Sequence, residues 1–152
     1  MSQQSEEKEK EPLISRGRTE SLTVSFARLD LNDRSLTIKF CKDEGQQEAF
    51  LRDALQKNPD VTHVNLSHNN IGDEGCIYLS GILQKNSTIT HVNLSHNKIE
   101  DKGCNYLSEV LRANPTITHV NLSHNNIGDE GCKYISEEIQ TKSTITHVIL
   151  SN

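Results

Sequence analysis

The chain has 152 residues and a formal net charge of −5, from 16 Lys and Arg against 21 Asp and Glu. Hydrophobic residues make up 33%, with 3 Phe, 3 Tyr and no Trp, and even with 8 Gly the apolar share stays below the roughly 45–50% of an ordinary globular domain. That argues against a thick spherical core and favours a thin, elongated one or a partly disordered chain. The mild acidity excludes a general pull toward phosphates, and no run approaches the ~18 apolar residues of a membrane span.

The N-terminal segment MSQQSEEKEKEPL lacks an apolar h-region, so no ordinary secretory signal is expected. Residues 1–19 are mostly Ser, Gln, Glu, Lys and Arg and read as a disordered charged tail. Next, Leu22, Val24 and Phe26 alternate, as do Leu29 and Leu31, and Asn32-Asp33-Arg34 is a turn signal before Leu36, Ile38 and Phe40. This predicts a β-hairpin over 20–40 that covers the first edge of a sheet.

From Val61 the chain repeats itself. VTHVNLSHNNIGDEGC begins at Val61, ITHVNLSHNKIEDKGC at Ile89 and ITHVNLSHNNIGDEGC at Ile117, each 28 residues after the last. A fourth start, ITHVILSN, begins at Ile145. The predicted units are 61–88, 89–116, 117–144 and a partial copy over 145–152. Stepping back by 28 places Leu36, Ile38, Phe50, Leu51 and Leu55 under Val64, Leu66, Tyr78, Leu79 and Leu83. Residues 33–60 are therefore read as a diverged first copy, with Cys41 under Asn69.

Each copy changes period once. Val64 and Leu66 alternate with His63, Asn65 and Ser67, which is strand spacing. Cys76, Leu79, Ile82 and Leu83 then share one helical face. Asp73 is the expected N-cap of that helix, and Asn86-Ser87 or Asn114-Pro115 ends it. The brick is a short strand, a turn and a helix of about three turns.

The stencil Val61-x-x-Val64-x-Leu66-x-x-Asn69-x-Ile71, followed by Gly75, Leu79 and Leu83, resembles a leucine-rich repeat of the ribonuclease-inhibitor type. The resemblance implies an α/β solenoid, with a curved parallel sheet inside and helices outside. It implies a scaffold that binds another protein through the concave face, as an inhibitor or modulator that covers its partner, sometimes an enzyme's active site. Such short, near-identical copies also look similar to effectors that intracellular bacteria deliver into host cells; the cytoplasmic place of work is expected from the missing signal segment and the unpaired cysteine spacing.

Within that frame Asn69, Asn97 and Asn125 form a structural ladder that bonds the turn backbone. Cys76, Cys104 and Cys132 recur at one place in the helix, as a small buried residue does. Disulfides or a zinc site are the lesser readings, since no C-x-x-C pair exists. Residues pointing out of the strands form columns: His63, His91, His119 and His147; Asn65, Asn93, Asn121 and Ile149; and Ser67, Ser95, Ser123 and Ser151. Beside them stand His68, His96 and His124, and these columns hold all 7 histidines of the chain. The expected partner-binding residues are His63, Asn65, His91, Asn93, His119, Asn121, His147 and Ile149, with His96 and His124 at the margin.

The histidine columns read first as a flat polar platform. A pH response or a metal site are the alternatives, but no carboxylate or thiolate in the strand motif completes a metal shell. No nucleophile beside a base, no G-x-x-x-x-G-K loop and no aromatic stackers for nucleic acid are present, so no catalytic residue, cofactor or metal is assigned. A GTPase-activating or other enzyme-regulating repeat protein is a second reading, although relatives with that activity are much longer. The chain is expected to be a monomer. Its last strand, Val148-Ile149-Leu150, is sticky and is covered by a partner, by a second copy, or serves as its own cap.

Overall fold

The computed structural model describes residues 25–40, 44–142 and 144–151. The tail over 1–19, Leu22, Val24, Cys41 and the Lys42-Asp43 turn lie outside them. The elements run β1 (Phe26–Asp30), β2 (Ser35–Lys39), α1 (Gln47–Lys57), β3 (His63–Asn65), α2 (Asp73–Lys85), β4 (His91–Asn93), α3 (Asp101–Ala113), β5 (His119–Asn121), α4 (Asp129–Thr141) and β6 (His147–Ile149). A 3-10 turn, Glu44–Gln46, leads into α1.

One sheet holds the six strands in sequence order. β1 and β2 form an antiparallel hairpin, and every later pairing is parallel. The register follows the 28-residue step: His63 lies beside His91, Val64 beside Val92 and Asn65 beside Asn93. Leu36 lies beside Val64 and Thr37 beside Asn65, the same step one strand earlier.

Stacking explains the burial. One brick has a single apolar stripe and nothing to cover it, so each covers the next. Leu36, Ile38, Leu66, Ile71, Leu79, Leu94, Ile99 and Leu122 are almost wholly buried between sheet and helices. Helices about 10 Å across need more room than strands about 4.8 Å apart, so the strands take the inner face and the helices the outer. Ile77, Asn105, Lys133, Glu109 and Glu137 on the helical back are exposed.

Four expectations are corrected. Phe26 and Leu31 do not face the core; they are 42% and 51% exposed, and the buried row is Ala27 and Leu29 of β1 with Ser25 just before it. Cys132 is only half-buried, unlike Cys76 and Cys104, because no described helix packs beyond α4 to cover it. Asp73 does not cap its own helix, whose N-cap is Gly72 with no side-chain bond. Instead Asp73 Oδ1 accepts from the Glu100 and Gly103 backbone N–H groups, both at 2.8 Å, at the start of α3. Asp101 does the same for α4, accepting from Gly128 N at 2.7 Å and Gly131 N at 3.0 Å. The starts of α3 and α4 thus each have two orphan N–H groups satisfied by the preceding brick. Finally, Ser95 and Ser123 are buried rather than presented as a surface column.

The helix ends are also tied across bricks. Asn114 Nδ2 donates to Leu83 O at 2.6 Å and Asn86 O at 2.9 Å. One step on, Lys142 takes the same place, its Nζ donating to Leu111 O and, at 2.8 Å, to Asn114 O. In the column Ile82, Val110, Glu138, a carboxylate replaces an apolar side chain yet stays buried. Arg112 caps it, with Nε at 3.0 Å and a closer contact from the second guanidinium nitrogen. Among the described residues no buried side-chain N or O lacks a partner.

Candidate functional site: the strand-face groove

The inner face carries a groove of about 420 Å³, lined by His63, Asn65, His91, Asn93, His119, Asn121, His147 and Ile149, with Asp33, Ser35 and Thr37 at its β2 end. Period-2 alternation puts these side chains outward and Val64, Val92 and Val120 inward.

The parallel register stacks like on like. The rings of His63 and His91 lie 3.9 Å apart at 15°, those of His91 and His119 4.0 Å apart at 14°, and those of His119 and His147 4.4 Å apart at 8°. Stacked rings aim their in-plane lone pairs side by side, not at a common point. Among the described residues no group of three or more His, Cys, Asp or Glu is placed to hold a metal ion.

Each ring is anchored through Nδ1 by the threonine before it. Thr62, Thr90 and Thr118 Oγ1 lie 2.8, 2.7 and 2.7 Å from Nδ1 of His63, His91 and His119, and Thr146 Oγ1 lies 3.0 Å from that of His147. This Thr-His pairing was visible in every copy of the sequence but carried no meaning until the side chains were placed.

The asparagines of the groove are anchored through their oxygens. Asn65 Oδ1 accepts from Ser67 N at 3.0 Å and Ser67 Oγ at 2.7 Å, and Asn121 Oδ1 from Ser123 N and Oγ at 3.0 and 2.7 Å. Asn93 Oδ1 accepts from Ser95 N at 3.0 Å. Each is an Asx turn that ends its strand.

The second histidine set stands apart. His68, His96 and His124 are exposed and do not line the groove. Their φ values of 58°, 53° and 55° are left-handed, a region His enters more readily than most residues. Their rings stack at 4.2 Å in both pairs. His96 and His124, expected at the margin of the site, lie on the turn beyond it.

Desolvation and then crowding lower the pKa values of three histidines. His91 is held below the ordinary histidine range by burial first, then by its neighbours His63, His119 and His147. His119 is lowered by burial, then by His147 and His63. His96 is lowered by burial, then by His124 and His68. Two of the thiols are chemically quiet: burial pushes Cys104 up to about 12 and raises Cys76 as well.

Behind the groove runs the amide ladder. Asn97 Oδ1 accepts from Asn69 N and Ile71 N, both at 2.9 Å, and its Nδ2 donates to Leu66 O at 3.0 Å and Leu94 O at 2.9 Å. Asn69 and Asn125 repeat the scheme, reaching Ile38 O at 2.8 Å and Leu94 O at 2.9 Å respectively. These bonds hold the turn that follows every strand.

A family model described as Leucine Rich repeat matches residues 57–80, 85–108 and 113–136. No curated protein matches the chain. Among solved structures, leiomodin-1 actin-binding site 2 is similar, with a TM-score of 0.60 at 23% identity over 69% of this chain. This chain spans 62% of that structure's length, and the likeness is one of fold. Three matched copies in one continuous register make the chain a leucine-rich-repeat protein, an α/β solenoid.

Proposed function

We propose that the chain is a non-catalytic scaffold that binds another protein through its strand face and modulates it, by covering an active site or a recruitment surface. Leucine-rich repeats mediate protein–protein interaction in general, and the structural neighbour is an actin-binding segment, which supports the class of function. The observation that carries the reading is the groove itself: repeated His and Asn side chains, already ordered by Thr and Ser, line a continuous surface across four strands. Pre-ordered side chains lose little entropy on binding.

In this reading the repeat is of the ribonuclease-inhibitor type, the protein works as a monomer in the cytosol, and residues 20–152 form one repeat domain behind a tail at 1–19. The inhibitory and effector roles belong to the same proposal. No described helix is long and apolar enough to cross a membrane. The test is affinity capture with the wild-type chain beside a His91→Glu, His119→Glu variant of equal thermal stability. Partners held by the wild type and lost by the variant support the strand face. Equal recovery moves binding elsewhere.

A further inference from the structure

The hydrogen bonds of the groove assign a polarity to it. Thr62 O already accepts two backbone N–H groups, from Thr90 at 2.8 Å and His91 at 3.1 Å. Thr90 O and Thr118 O are filled the same way by the next brick. A carbonyl has two lone pairs, so the threonine hydroxyl at 3.2–3.3 Å from it comes third. The hydroxyl proton therefore goes to the histidine Nδ1 at 2.7 Å. An Nδ1 that accepts fixes the neutral ring with its proton on Nε2.

The asparagines point the same way. Their Oδ1 atoms accept from serine, which orients each amide, and among the described residues their Nδ2 groups have no partner. Nor do the Nε2 atoms of the groove histidines. Each central brick thus offers two unsatisfied N–H donors, with its asparagine Oδ1 turned away to the serine backbone. The two rows repeat at strand spacing, about 4.8 Å. Asp33, at the β2 end, is the one charged residue among those lining the groove.

We propose that the groove recognises the carboxylates of an acidic segment of a partner protein, through the paired donor rows His63, His91, His119 (Nε2) and Asn65, Asn93, Asn121 (Nδ2). This rests on the strand face being the binding face, and it adds the chemistry of the partner. A face of donors is complementary to acceptors, and a carboxylate is the strongest acceptor a protein carries. The chain's own charge of −5 disfavours long polyanions such as nucleic acid, so a short acidic segment is the better fit.

Recognition is coupled to pH. The groups that face the column are its own neighbouring imidazoles and Asp33 beside His63; β2 adds only the neutral Ser35 and Thr37. Without a ligand His91 and His119 resist protonation, through desolvation first and then the neighbouring imidazoles. A bound carboxylate favours the charged ring, so binding takes up protons and tightens as the pH falls. On protonation Nδ1 donates to the threonine Oγ1, and the hydroxyl proton leaves for water or for the weaker third place at the carbonyl 3.2 Å away.

The experiment uses the full chain with a fluorescent peptide of alternating Glu and Ala, its Gln-for-Glu counterpart, and a single-stranded oligonucleotide. Affinity for the Glu peptide is expected to rise by about tenfold or more between about pH 7.5 and about pH 5.5, a tenfold gain for each unit by which bound carboxylate raises a histidine pKa. The Gln peptide should bind more weakly and show little pH dependence. Asn93→Asp with Asn121→Asp keeps the Oδ atom that accepts from serine and swaps donors for charge, so the fold should survive while Glu-peptide binding drops at least ~10-fold. Lys133→Glu, on the exposed helical back, should change nothing. Long-range 1H–15N correlation spectra should place the neutral proton of His91 and His119 on Nε2. The proposal is overturned by equal binding of both peptides, by tighter binding of the oligonucleotide, by an equal loss in Lys133→Glu, or by protons found on Nδ1. If the captured partner still depends on His91 and His119 while the Glu peptide fails to compete, the strand face stands and the acidic partner falls.

Discussion

Asp73 Oδ1 accepts a hydrogen bond from the backbone N–H of Gly103 at 2.8 Å, thirty residues downstream. The carboxylate thereby joins two bricks rather than finishing one. It also explains the glycine: a Cβ at position 103 would sit 2.6 Å from Asp73 Oδ1, 2.8 Å from Ile99 Cγ2 and 3.0 Å from Cys76 Sγ. Nothing about φ is involved, since no glycine has a positive one among the described residues. The same clash, at 2.7 Å from Asp101 Oδ1, holds for Gly131.

Asp73→Ala is therefore expected to lower stability by ~1 kcal/mol, the usual worth of a helix cap. Gly103→Ala should cost more, because both the carboxylate and the Ile99 side chain must move. Asp129→Ala is the control: Asp129 is exposed and has no following helix to cap among the described residues, so it should be close to neutral. Urea unfolding of the three variants checks the order. Equal losses for Asp73→Ala and Asp129→Ala would refute cross-brick capping.

Asn97→Ala should be among the most damaging single changes. It strips partners from two backbone N–H groups, Asn69 and Ile71, and from the carbonyls of Leu66 and Leu94. Each buried group left unpaired costs ~1–3 kcal/mol, although water entering the turn recovers part of it. The loss should spread to the preceding brick as well as its own, since one amide serves two copies. Hydrogen exchange would show it as lost protection at Asn69 and Ile71 together, and protection lost at one alone would contradict the ladder.

Acid should loosen the free protein. His91, His96 and His119 have folded pKa values below the ordinary 6.5, so the unfolded chain binds their protons first. With more protons bound in the unfolded state, stability rises with pH through that window. It is complete above about pH 6.5 and is lost as the pH falls toward the folded values. A melting temperature that drops between neutral and mildly acid pH, with a smaller drop in His91→Gln, is the expected outcome. In NMR titration His91 should titrate below 6.5, and a normal, independent curve would remove the crowding argument.

Periodicity made most of this legible in the sequence. Identical strings 28 residues apart define the register, the facing of each strand and the columns of the groove. The same periodicity hid the caps. Asp73 stands one residue inside its own helix and one brick before the next, and from sequence its own helix is the nearer claim. The hairpin lacked a second copy for comparison, so the outward turn of Phe26 could not be read from alternation alone. Thr90 looked like a strand residue of no consequence, because its role depends on how many donors crowd the carbonyl of Thr62. The groove's polarity was hidden for the same reason: hydrogen-bond saturation is a property of three strands side by side.

Glu138 gives the last test, because the stencil calls for an apolar residue there and the chain does not supply one. Glu138 is 6% exposed, in the column of Ile82 and Val110, and Arg112 reaches its carboxylate from the previous helix. Arg112 is itself largely solvated and held in its charged form by that carboxylate, so the pair is half surface bridge and half buried charge. Arg112→Ala should lower the urea midpoint clearly, since it leaves a desolvated carboxylate unpaired. Glu138→Val restores the apolar column and should fall within ~1 kcal/mol of wild type or above it, as buried ion pairs replaced by packed apolar groups often do. On that background Arg112→Ala should no longer matter. A cycle in which Arg112→Ala costs the same with Glu138 or Val at that position would show that the arginine acts by packing along the helix, not by satisfying the buried charge.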